Sequence, residues 1–126
     1  MQFSISIFTA LFLSTFLYGC SSSPQENIPY SYPHAVRIIL INNVPEFRTC
    51  YSNELNSNHN YKGLVKLIFT IGSEGRVSKA NVTNDNGMSK ELKSCLVEKL
   101  AQIRFPKPDK RGVVKVIQPM NFYPIQ

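Results

Sequence analysis

The chain has 126 residues, 43% of them hydrophobic and 17% charged, with a formal net charge of +6. That balance belongs to a foldable globular chain, excludes an intrinsically disordered one, and at this length leaves room for one domain and a leader. The basic charge could suit nucleic acid, but the lysines are scattered singly and not clustered with aromatics, which argues against that partner. Anionic lipid headgroups, cell-wall material or an acidic protein remain.

The first 19 residues carry no charged side chain, and Phe3, Ile5, Ile7, Phe8, Leu11, Phe12, Leu13, Phe16 and Leu17 make an apolar block of secretory-signal length. Its end, Leu17-Tyr18-Gly19-Cys20, resembles the bacterial lipobox. The resemblance implies cleavage after Gly19 and diacylglyceryl attachment to the Cys20 sulfur; an uncleaved membrane anchor and a secreted protein with a free Cys20 stay open as alternatives. Ser21 follows the cysteine where aspartate would favour inner-membrane retention, which by analogy points to the outer membrane, facing the periplasm.

Residues 20–33 are polar and punctuated by Pro24, Pro29 and Pro33, and read as a tether that reaches about 45 Å at full extension. A domain is expected over 34–126. Residues 33–43 mix β-branched residues with a helical placement of Val36, Ile39, Leu40 and Asn43; helix is favoured over strand. Pro45 suits a first helical turn, and Phe47, Cys50, Tyr51 and Leu55 make one stripe of a helix over about 45–56.

Residues 63–84 read as a β-hairpin: an apolar run from Leu64 to Ile71, a turn at Gly72-Ser73-Glu74-Gly75, and a second strand with Val77, Ala80 and Val82. Both turn glycines are expected to supply positive φ. Ser89 can cap a helix from Lys90 to about Gln102 whose apolar face is Leu92, Cys95, Leu96, Leu100 and Ile103. Phe105-Pro106-Lys107-Pro108 ends it, and residues 112–122 close the chain as a third strand with Val114, Val116, Met120 and Phe122 inward. The expected class is α+β, a small three-stranded antiparallel sheet with helices packed on one face.

With Cys20 taken by lipid, Cys50 and Cys95 remain as a pair in an oxidising compartment, and a disulfide between them is expected. Closing so long a loop would stabilise the fold by about 4 kcal/mol in the chain-entropy account. Evidence for catalysis is lacking. His34 and His59 lack the short ligand spacing of a zinc site, Ser73 between glycines is turn chemistry, and single cysteines without Cys-x-x-Cys read as a structural bridge. The expectation is a non-enzymatic chain with no cofactor, no metal and no small-molecule substrate.

Cys50-Tyr51, Gly63-Leu64-Val65, Phe69-Thr70-Ile71-Gly72, Gly75-Arg76-Val77, Cys95, Arg104-Phe105-Pro106 and Gly112-Val113-Val114 running to Pro119 and Phe122 together resemble the AgmX/PglI C-terminal domain, itself similar to the C-terminal domain of the energy transducer TonB. The likeness covers about residues 36–124; Ile103, Gln118 and Met120 stand where the family usually has aromatics. It implies an α-β-β-α-β order and a protein-binding module of a cell-envelope assembly for motility, secretion or transport. A lipid anchor and a short tether cannot draw on a proton gradient, so energy transduction itself is not expected. The candidate contact is the edge of the closing strand, Val113, Val114, Lys115, Val116 and Ile117, which could accept an extended segment from a periplasmic or outer-membrane partner. Lys115 and Pro119 could instead protect that edge. A structural lipoprotein that binds cell wall or lipid, and an inhibitor or exclusion lipoprotein, are the other readings.

Overall fold

The computed structural model describes residues 31–84, 87–109 and 112–124. The expected signal segment, Cys20 and most of the expected tether lie outside the described residues. The elements are α1 (Tyr32–Asn42), α2 (Val44–Ser57), β1 (Gly63–Ile71), β2 (Val77–Asn84), α3 (Lys90–Gln102) and β3 (Val114–Phe122). Among the described residues no helix is long and apolar enough to cross a membrane.

The three strands form an antiparallel sheet in the order β2-β1-β3, with helices on one face, so the fold is α+β as expected. The apolar run of β1 resolves into an alternation. Val65, Leu67, Phe69 and Ile71 are buried beneath the helices, whereas Leu64 and Lys66 are exposed on the other face. A strand at the centre of a sheet with only one covered face can therefore carry apolar residues on both sides.

Each helix buries one stripe. Val36 and Leu40 of α1, Phe47, Cys50 and Tyr51 of α2, and Leu92, Leu96 and Leu100 of α3 join the strand residues in one core with Ile103, Phe105 and Phe122. Burying each such Leu or Phe contributes roughly 1.5–3 kcal/mol relative to exposure. Ser89 caps α3 as expected: the Leu92 N–H donates to Ser89 Oγ at 3.0 Å. Cys50 and Cys95 form the disulfide, Cα atoms 5.7 Å apart, and bind α2 to α3.

Three details depart from the sequence reading. α1 begins at Tyr32, within the expected tether; Pro33 sits in its first turn, where the missing N–H costs nothing, and the Tyr32 hydroxyl donates to the Pro106 carbonyl at 3.1 Å. β3 begins at Val114, leaving Val113 outside the strand. In the hairpin turn only Gly75 has positive φ, at 76°; Gly72 does not, because its N–H donates to the Arg76 carbonyl at 2.8 Å as the last ladder rung. A register shift between Thr70 and Ile71 absorbs the extra residue.

Candidate functional site: an edge strand and the trough beside it

β3 pairs with β1 alone, so its other side is a sheet edge. Pro119 fixes which backbone groups face outward. It lies opposite Lys66, and a proline fits a ladder only where its nitrogen points away from the neighbouring strand. Residues two apart share that direction, so Lys115, Ile117 and Asn121 also turn their N–H and C=O groups out of the sheet. Val114, Val116 and Gln118 direct theirs to β1.

Side chains divide the other way. Val114, Val116, Gln118 and Met120 are half-buried on the helix side, and Lys115, Ile117, Pro119 and Asn121 are exposed on the opposite face. Between α1 and β3 lies an open cavity of about 390 Å³, walled by Tyr32, Val36 and Leu40 on one side and Val114, Val116 and Gln118 on the other. A second, of about 560 Å³, lies between α2 and the end of β3, bounded by Arg48, Tyr51 and Leu55 against Met120, Phe122 and Tyr123. Together they flank most of β3 with a trough whose walls are mainly apolar.

Of the five residues expected at the edge, Lys115 and Ile117 present backbone, Val114 and Val116 line the trough, and Val113 is an exposed lead-in residue. They serve one strand from two faces and do not converge on a point. Cys50 and Cys95 lie elsewhere, beside a shallow cavity of about 270 Å³ that also touches Glu54 and Glu91.

A polar cluster under the α2 end of the trough was not anticipated. Glu54 is 5% exposed, and the Ser89 hydroxyl donates to its carboxylate. Nearby, the Tyr51 hydroxyl donates to the Tyr61 carbonyl, the Asn84 amide donates to the Tyr61 hydroxyl, and Phe122 stacks on Tyr51 with ring centroids 4.8 Å apart. Burial raises the Tyr51 and Tyr61 hydroxyls above the ordinary tyrosine value; for Tyr61 the Asn84 bond opposes this and the Glu54 charge adds to it. Helical spacing could have found Glu54, since it lies four residues after Cys50 and three after Tyr51, on the buried stripe.

Among the described residues no group of three or more His, Cys, Asp or Glu could hold a metal ion. His34 and His59 are both exposed, on α1 and in the loop before β1. Comparison with protein-family models, with curated proteins and with solved structures finds no match to this chain.

Proposed function

We propose that this chain is a non-enzymatic, lipid-anchored adaptor of the bacterial cell envelope, whose β3 edge takes up an extended segment of a protein partner as a fourth strand. The observation that carries the reading is the coincidence of an unpaired edge with an apolar trough along its helix side. Backbone groups of Lys115 and Ile117 would supply the ladder, and alternate side chains of the partner would enter between α1 and Val114, Val116 and Gln118. Pro119 and the Lys115 charge limit indiscriminate pairing, as edge strands require. The lipobox-like Leu17 to Cys20 supports membrane attachment, and the likeness to TonB-type domains supports an envelope assembly as the setting.

The test is in-cell photo-crosslinking from a probe at Gln118, inside the trough, with mass spectrometry of the products. A discrete protein partner, lost in the Ile117→Pro variant, is expected. Ile117→Pro removes an outward N–H and leaves the β1 ladder whole, which circular dichroism checks; Val116→Pro would instead break the ladder. Cell-wall or lipid adducts alone from Gln118 would overturn the adaptor reading.

A further inference from the structure

The helices leave one face of the sheet bare. On it the register places Lys79, Thr70 and Lys115 in one row, Asn81, Ile68 and Ile117 in the next, and Thr83, Lys66 and Pro119 in a third. Leu64 extends the apolar centre at one end. Leu64 is 40% and Ile117 58% exposed, so this centre is open to solvent and flanked by lysines.

The described carboxylates are confined to the helices and loops, whereas basic residues occur in both layers, with Arg37, Arg48, Lys90, Lys93 and Lys99 on the helices. Glu46, Glu54, Glu91 and Glu98 all lie on α2 and α3, and Glu74, in the hairpin turn, is held by Lys107 at 2.7 Å. None of the described carboxylates lies on a strand. The ion pairs of Glu46 with Lys99 and of Glu74 with Lys107 leave this face aside.

We propose that the helix-free face of the sheet lies on an anionic phospholipid surface, with Lys66, Lys79 and Lys115 among the headgroups and Leu64, Ile68 and Ile117 at the acyl boundary. Lysine suits this role because its ammonium reaches outward on an apolar stem and acts as a point charge on diffuse anionic charge. Nucleic acid is a poorer occupant: the strands present no aromatic side chain on this face on which a base could stack, and no arginine fork for phosphate. An acidic protein is poorer too, since protein interfaces are depleted in lysine and enriched in arginine and aromatics. The site is distinct from the trough, which opens on the helix side of β3. A sheet lying flat on a bilayer would keep the β3 edge accessible from the side.

The chain has no tryptophan, so one introduced indole reports its own surroundings. Ile117→Trp and Asn81→Trp would be made separately in the full chain, with Ser94→Trp on the exposed side of α3 as the comparison. Each is mixed with phosphatidylcholine vesicles that do or do not contain phosphatidylglycerol and that carry acyl-brominated lipid. Quenching and a blue shift are expected for the two sheet-face indoles with phosphatidylglycerol only. Both should be lost in a Lys66→Gln, Lys79→Gln, Lys115→Gln background, and at about 1 M salt, where screening shrinks to about 3 Å. Quenching no greater than that of Ser94→Trp, or equal on purely neutral vesicles, would overturn the proposal, as would a spectral shift given by RNA or an acidic protein and not by vesicles. Asn81→Trp on β2 keeps the test decisive if Ile117→Trp disturbs the edge strand.

Discussion

The Phe105 N–H donates to the Gly75 carbonyl at 2.9 Å, and a Cβ built on Gly75 would meet the Phe105 carbonyl oxygen at 2.0 Å. The tip of the β1–β2 hairpin thus closes directly on the segment that leaves α3. Stacking of Phe69 on Phe105, centroids 5.5 Å apart, continues the contact into the core.

Gly75 is irreplaceable for two reasons at once: its φ of 76° is one that side chains rarely adopt, and the neighbouring atom is backbone, which cannot swing away. Gly75→Ala should cost about 3 kcal/mol or more in urea denaturation. The same change at Gly87, where nothing lies within 4 Å, meets only the φ penalty and should cost less.

Ser89 joins two jobs in one hydroxyl, capping α3 through Leu92 and donating to the buried Glu54. Ser89→Ala should lose about 1 kcal/mol for the cap and about 1–3 kcal/mol for the carboxylate left without its donor. Ser89→Thr, which keeps the hydroxyl, should recover most of both. Chemical denaturation of the two variants decides it; equal losses would show that the hydroxyl is not what matters.

Reduction of Cys50–Cys95 removes the covalent tie between α2 and α3 but leaves every other core contact in place. Dithiothreitol, or a Cys50→Ser, Cys95→Ser double variant, should lower stability by about 2–4 kcal/mol. The sheet should persist by circular dichroism at room temperature. Unfolding on reduction alone would mean that the apolar core is marginal without the bridge.

Tyr51 and Tyr61 have folded-state pKa values raised above the ordinary 10.0, chiefly by burial. Folding therefore favours their protonated forms. The associated stability is whole below about pH 10, where the unfolded tyrosine titrates, and is lost as pH climbs from there through the higher folded values. Melting temperature should be flat across neutral pH and fall above about pH 10. Tyrosinate absorbance should appear for these two residues at higher pH than for free tyrosine, and Tyr51→Phe should soften the alkaline decline.

Much of this architecture is legible in the chain itself. Helical stripes at Phe47, Cys50 and Tyr51 and at Leu92, Leu96 and Leu100, the Ser89 cap, the hairpin bounds from Gly63 to Asn84, and the pairing of Cys50 with Cys95 all follow from local periodicity, caps and cysteine chemistry. These are statements about neighbours in sequence or, for the cysteines, follow from the expectation that lipid occupies Cys20.

Tertiary structure alone decided the rest. That β3 pairs with β1, placing it at an edge, is a choice between two hairpin strands that periodicity cannot make. That the buried Glu54 finds a donor depends on Ser89 arriving at the start of a separate helix to meet it. Of the two turn glycines only Gly75 has positive φ and meets the Phe105 segment, whereas Gly72 stays in the ladder through Arg76. Lys66, Lys79 and Lys115, scattered singly along the chain, share one face because antiparallel register brings three distant strands side by side and alternation turns those side chains the same way.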